Sequence, residues 1–333
     1  MSINLAINGF GRIGRAAFKI ALKKNDINIV AINDLADNET LAHLLKYDTV
    51  YGRYDKPISH SNSGITVDGK EYPILSEKDP EKLPWKKYSV DVVIESTGFF
   101  RTKELASGHL KAGAKRVVMS APPKGGQVET FVMGVNDDKL SDQTILSNAS
   151  CTTNCIAPVA QILHQAFGIK KATMTTIHAY TADQNIVDGS HSDLRRARAA
   201  AANIVPTTTG AAKATAETIP ELKGLFDGIA VRVPVAVGSL CDFTLLLKKK
   251  VTVQEVNNAF KDAAKQPRYK DVLEVTDDPI VSSDIIGNPH ASIVDLGLTK
   301  VVDGDLVKVI AWYDNEWGYS NSLIRICQRL FKK

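Results

Sequence analysis

The segment from Ile3 to Asp34 constrains the fold of this chain more than any other. Ile3–Asn8 (INLAIN) is a short apolar run, and Gly9-Phe-Gly11-Arg-Ile-Gly14 follows it at once. From Arg12 to Lys24 the apolar residues Ile13, Ala17 and Ile20 recur on one helical face. A second apolar run, Ile27–Asp34 (INIVAIND), ends in an acid twenty residues after Gly14. Strand, glycine turn, helix and strand make a βαβ unit. Its G-x-G-x-x-G turn suits a dinucleotide: a tight turn, close backbone approach to a pyrophosphate, a helix N-terminus for the anion, and an acid for the ribose hydroxyls. Glycines also mark ordinary turns, so the pattern takes its weight from this position. Gly9, Gly11 and Gly14 are the expected turn residues and Asp34 the expected ribose reader.

Further runs at Asp91–Thr97 and Arg116–Pro122 are continuously apolar rather than alternating. That is the mark of parallel strands covered on both faces by helices. We expect an α/β, Rossmann-type doubly wound parallel sheet over residues 1–150. A chain of 333 residues is long for one core and suggests a second domain. Beyond residue 150 the runs lengthen: Ala172–Tyr180, Gly228–Val235, Ser239–Leu247 and Leu306–Tyr313. Thr252 and Glu255 form a capping box ahead of a helix, and TTTGAAKATAETI places Gly210 before good helix formers. An α+β catalytic domain with a mostly antiparallel sheet is expected over 151–315. The C-terminal amphipathic helix, within 316–333, is expected to pack back on the first domain.

Composition limits the function classes. No run of about 18 apolar residues exists, so no membrane span is expected, and the N-terminus carries no signal-peptide pattern. Four cysteines in no dense framework fit a reducing cytoplasm. A net charge of +4 suits small anionic ligands better than a nucleic-acid face, which needs clustered basic stripes.

Cys151 and Cys155 stand four residues apart in SNASCTTNC. A zinc site needs about four ligands, and no second cysteine pair or His-x-x-x-His exists; a redox dithiol favours Cys-x-x-Cys spacing. One nucleophile with a bystander remains. Cys151 opens a helix, where free N–H groups stabilise a thiolate, whereas Cys155 lies a turn deeper beside Ile156 and Ala157. Of seven histidines, His178 ends a strand-like run facing a loop and is the first choice for a base. His43 lies in an amphipathic helix, His164 follows Cys151 on its helix, and His60, His109, His191 and His290 lie in polar surroundings. Position alone does not choose among them.

INGFGRIGR, HLLKYDTVYG, SNASCTTNC, TIHAYTADQ, DLRRARAAAANIVPTTTGAAKA, RVPV and WYDNEWGYSN, spread from end to end, resemble signatures of the phosphorylating glyceraldehyde-3-phosphate dehydrogenase family. The resemblance implies oxidation of glyceraldehyde 3-phosphate with inorganic phosphate to 1,3-bisphosphoglycerate, NAD as cofactor, and a homotetramer. It implies Cys151 as nucleophile, with His178 as base and as the imidazolium that favours the thiolate. Thr181 and Arg232 then hold one anion, and Thr209, Gly210 and Arg196 the other, with Ser150 and Thr152 beside the nucleophile. Spacing does not separate Arg195 from Arg196. Arg12, Ile13, Lys78 and Ser120 join the glycines and Asp34 around the cofactor, with Asn315 near the nicotinamide amide and Tyr319 against its ring. Asp34 argues for NAD, while Gly189-Ser190 resembles NADP-tolerant relatives. Two alternatives are an erythrose-4-phosphate dehydrogenase and a dinucleotide-sensing protein whose catalysis is vestigial.

Overall fold

The computed structural model describes residues 2–331 and divides into two compact units. The first comprises Met1–Phe131, Lys139–Ala149 and Leu323–Lys333; the second comprises Val132–Asp138 and Ser150–Ser322. The helix Trp317–Arg329 is therefore shared, and its latter half belongs to the first unit. There Gln328 Nε2 donates to both carboxylate oxygens of Asp26 at 2.8 Å.

The first unit is built on a nine-stranded sheet. Its central strand Ile3–Asn8 pairs in parallel with Ile27–Asn33 on one side and Val92–Glu95 on the other. From Ile27–Asn33 the sheet continues in parallel to Lys70–Leu75, and from Val92–Glu95 through Arg116–Met119 and Ile145–Ser147 to Glu129–Thr130. Leu5, Ile7, Ile32, Val93, Ile94 and Val117 are almost wholly buried, as both-face coverage requires. The chain runs outward one way from Ile3–Asn8 and then returns to build the other side. Its strand ends therefore open at the switch point where doubly wound sheets bind ligands. The sheet is mixed rather than wholly parallel, because Gly64–Val67 and Ile58–His60 add an antiparallel edge. Asp68-Gly69, at φ 51° and 80°, makes the two-residue hairpin turn responsible.

The second unit carries a seven-stranded sheet in which four of the six strand pairs are antiparallel. Helix Cys151–Phe167 packs against it and buries Cys155, Ile156, Val159 and Leu163. The Thr252–Glu255 capping box forms at the start of Val253–Ala264. The sequence reading passed over the 11-residue strand Ser292–Val302. A register shift between Asp295 and Lys300, around Gly297, breaks its alternation and hides it from a period-two search.

Candidate active site

In the first unit, a cavity of about 430 Å³ lies at the ends of the central parallel strands. Asn8, Gly9, Gly11, Asp34, Lys78 and Thr97 are among its lining residues. Gly9 takes φ +93°, and a Cβ there would stand 2.7 Å from Thr97 N. A Cβ on Gly14 would stand 2.1 Å from the Gly9 carbonyl, so the helix can approach the strand only through glycine. Gly11 caps the helix Arg12–Ala21, and nothing lies within 4 Å of where its Cβ would be. Open space at a helix N-terminus fits a pyrophosphate.

Asp34 accepts from Phe10 N at 2.7 Å and Ala36 N at 3.0 Å, which fixes its carboxylate at the cavity wall. Arg12 pairs with Asp48 at 2.7 Å, Ile13 follows it in the helix, and Lys78 is exposed at the cavity. Ser120 follows the strand Arg116–Met119, with its amide on the Glu95 carbonyl at 2.9 Å, and is not among the lining residues. These residues fit a dinucleotide.

In the second unit, Cys151 is the first residue of its helix and Ser150 is the cap. Ser150 Oγ accepts from Thr153 N at 3.1 Å, so the predicted substrate contact of Ser150 shares its hydroxyl with capping. Cys151 Sγ lies 3.4 Å from His178 Nε2. His178 Nδ1 stands 2.6 Å from the Ala179 carbonyl, which can only accept, so Nδ1 carries the proton and Nε2 offers its lone pair to the sulfur. That is the tautomer a base needs. Arg232 Nη1 is 3.2 Å from the same Nδ1, and its true acceptors are the Ala179 carbonyl at 3.1 Å and Thr181 Oγ1 at 3.2 Å.

Electrostatics here departs from the ion pair expected above. Burial and the Arg232 guanidinium push His178 down to about 3. Burial also raises the Cys151 thiol, while Arg232, the Thr152 hydroxyl and the Thr152 N–H pull it back. The resting pair is thus a thiol and a neutral imidazole, and the cation whose charge favours the thiolate is Arg232, behind the ring at Nδ1. Removing a charged imidazole from water costs more than the neighbouring dipoles return. Cys155 is fully buried, with Sγ 3.7 Å from Ser292 Oγ and 3.8 Å from the Ala311 carbonyl, and burial holds its thiol far up.

Arg232 Nε is buried and has no hydrogen-bond partner, a donor awaiting an acceptor beside Thr181. Arg196 is differently placed: Nη1 meets Asp183 at 2.5 Å, Nε donates to Thr207 Oγ1 at 3.0 Å, and Nη2 reaches the Thr208 carbonyl at 3.2 Å. Any anion on Arg196 competes with the Asp183 carboxylate. Arg195 is exposed and only brushes the Pro206 carbonyl at 3.4 Å. Thr209 Oγ1 accepts from Ala211 N at 3.2 Å, and Gly210 caps Ala211–Thr218 with open space around it. Asn315 Oδ1 is taken by Gly238 N at 3.1 Å and Ser239 Oγ at 2.9 Å, which leaves its NH₂ as the donor side of the amide. Tyr319 is buried in the helix Trp317–Arg329.

The sequence reading missed a support beneath this pair. Tyr313 OH lies 2.9 Å from both Thr152 Oγ1 and Thr176 Oγ1, and its ring meets His178 edge-on at 5.9 Å. Thr176 and His178 are two apart on one strand and share a face, which was the available signal. His109, read as lying in polar surroundings, is wholly buried. Among the described residues no group of three or more His, Cys, Asp or Glu is placed to hold a metal.

Two family models match the chain. The glyceraldehyde 3-phosphate dehydrogenase NAD binding domain matches residues 3–103, and the C-terminal domain of the same family matches residues 150–315. The chain is 56% identical over 327 residues to the glyceraldehyde-3-phosphate dehydrogenase of Streptomyces coelicolor, covering 97% of each. It is 53% identical to that of Borreliella burgdorferi, covering 99% of this chain and 100% of the relative. Identity to the Geobacillus stearothermophilus protein of the same name is 51%, covering 100% and 99%.

Proposed function

Because this chain belongs to the glyceraldehyde-3-phosphate dehydrogenase family, we propose that Cys151 and His178 perform the chemistry of that NAD-dependent enzyme. The reaction oxidises glyceraldehyde 3-phosphate with inorganic phosphate to 1,3-bisphosphoglycerate. Neither alternative, the erythrose-4-phosphate enzyme or the vestigial sensor, finds support in the names of the relatives cited above.

The Cys151 sulfur attacks the aldehyde carbon, and His178 Nε2 takes the thiol proton and passes it to the new alkoxide. The product is a thiohemiacetal. His178 then withdraws the hydroxyl proton as the C–H bond breaks. NAD, when bound, would supply the hydride acceptor, and Asn315 Nδ2 is the donor that the family resemblance assigns to its carboxamide. The carbon is now a thioester, which retains the oxidation energy. A phosphate oxygen attacks the acyl carbon, the C–S bond breaks, and the thiolate leaves. The Cys151 N–H at the helix start is available to the oxyanion of both addition steps.

Arg232 ties binding to proton transfer. A phosphate dianion on its free Nε neutralises the charge that depresses His178, so the base strengthens when substrate is in place. Arg196, Thr209 and Gly210 form the second anion site, which opens as Asp183 yields. The observation that carries this reading is the 3.4 Å contact of Sγ with an imidazole whose Nδ1 proton is fixed on a carbonyl. Rapid mixing with aldehyde and NAD but no phosphate tests it. A burst of about one NADH per site, followed by turnover only on adding phosphate, is expected; steady turnover without phosphate contradicts it.

Ile186, Val187, Leu194 and Ile204, exposed by 83, 72, 81 and 70%, lie in one stretch of the second unit and support burial in a homotetramer. Light scattering tests that state. Four free cysteines support a reducing, cytoplasmic setting. The mild net charge and the absence of any helix long and apolar enough to cross a membrane, among the described residues, favour small-molecule partners over nucleic acid or membrane. Ser190 is exposed beside Gly189, which supports some tolerance of NADP.

A further inference from the structure

Beside the dinucleotide cavity runs a buried polar chain that the chemistry above does not use. Glu95 ends the strand Val92–Glu95 and His109 lies on the helix Lys103–Lys111; both are buried. Trp85 Nε1 donates to His109 Nδ1 at 2.9 Å. An indole nitrogen only donates, so the His109 proton sits on Nε2, which meets Glu95 Oε2 at 3.0 Å. Asn8 Nδ2 reaches the same oxygen at 2.5 Å. Thr97 N, at 2.9 Å, and the Thr97 hydroxyl take Oε1. Four donors and no acceptor face this side chain, the pattern an ionised carboxylate demands.

That pattern dictates orientations further along. Because Glu95 only accepts, Asn8 must turn its NH₂ toward it and its carbonyl away. The carbonyl then accepts from Asn33 Nδ2 at 2.7 Å. Asn33 in turn clasps the Glu77 backbone, its Nδ2 donating to the Glu77 carbonyl and its Oδ1 accepting from the Glu77 N–H, each at 2.9 Å. Asn8 is in register with Asn33 on one side and Glu95 on the other. The residues that follow these three strand ends, Gly9, Asp34 and Ser96–Thr97, line the cavity.

We infer that Glu95, with His109 as its fixed donor, is a positioning residue for NAD, which rests on NAD being the occupant of this cavity. Glu95 touches no reacting atom. It sets the two asparagine amides and the Thr97 backbone, and these hold the glycine turn and Asp34 at the spacing the cofactor needs. A neutral amide cannot replace it, because either orientation points an NH₂ at existing donors.

The test is calorimetric titration of NAD into the folded full-length protein. Binding to the unmodified chain establishes the occupant, and its absence overturns that reading alone. Glu95→Gln is expected to raise the NAD Kd about ten- to a hundredfold, and to raise the NAD KM while kcat at saturating NAD stays within about threefold. His109→Phe keeps a ring and loses the donor; His109→Gln keeps a donor. The phenylalanine variant should lose affinity about tenfold and the glutamine variant should recover most of it. In the apo protein the Trp85 indole N–H resonance should shift in His109→Phe, which reports loss of the His109 acceptor independently of turnover. Unchanged Kd in Glu95→Gln and His109→Phe contradicts the inference, as do equal losses in the two His109 variants, which would mark packing alone. If Glu95→Gln does not fold, the His109 pair decides.

Discussion

Arg232 Nη1 stands 3.2 Å from His178 Nδ1, the ring nitrogen whose proton already lies on the Ala179 carbonyl. Burial, with a fixed cation behind the ring, keeps the imidazole neutral and leaves Nε2 facing Cys151. One guanidinium thereby depresses the base and favours the thiolate.

The alkylation profile of Cys151 should follow Arg232 rather than His178. Arg232 and the Thr152 donors are what pull the thiol down against burial. Arg232→Gln should therefore move the midpoint of iodoacetamide labelling to higher pH. His178→Asn should leave the midpoint nearly unchanged while lowering kcat by roughly 10²–10⁴. A large upward shift in His178→Asn would restore the imidazolium–thiolate pair.

Anion binding should raise the His178 pKa. Burial and, after it, the Arg232 charge hold the ring near 3, and inorganic phosphate on Arg232 screens the second of these. Imidazole resonances followed by pH titration, with and without phosphate, check this. No upward movement in phosphate, or the same movement in Arg232→Gln, sinks the coupling.

Stability should carry the signature of a buried neutral histidine. The folded pKa of about 3 lies below the ordinary 6.5, so between those values the unfolded chain binds a proton that the folded chain refuses. Stability from this group is complete above pH 6.5 and falls as pH drops toward 3. Urea unfolding across that window should show a shallower slope in His178→Asn; an identical slope places the titration elsewhere.

Discrimination between NAD and NADP should rest on Asp34. Its carboxylate is pinned by Phe10 N and Ala36 N and cannot swing away from a 2′-phosphate. At about 5 Å and an effective dielectric near 20, one like-charge pair costs roughly 3 kcal/mol, and a serine hydroxyl returns less than that. We expect kcat/KM to favour NAD about ten- to a hundredfold, with Asp34→Gly relaxing the ratio. Equal use of both cofactors by the unmodified enzyme would show that Asp34 does not set the preference.

What could be read from the sequence was local. Gly14 announced a strand–turn–helix because its steric demand, the Gly9 carbonyl, lies within six residues, and Thr252 announced a helix because its cap bond spans three. The Tyr313 contacts with Thr152 and Thr176 join positions 161 and 137 residues apart, and the face that Thr176 shares with His178 does not say which distant residue meets it. His109 reads from the sequence as lying in polar surroundings, and its helix turns it inward to Trp85 and Glu95. The neutral state of His178 was illegible for a different reason. Burial, which only the fold creates, outweighs the partner that proximity suggested.

The most direct measurement is peptide mass spectrometry of the protein quenched in acid after mixing with glyceraldehyde 3-phosphate and NAD in the absence of phosphate. If Cys151 carries the acyl group, one 3-phosphoglyceryl thioester appears on the peptide containing SNASCTTNC, at Cys151, and vanishes when phosphate is added before the quench. It should persist in Cys155→Ser and be absent in Cys151→Ser. An adduct on Cys155, or none on either cysteine while NADH forms, would contradict the assignment.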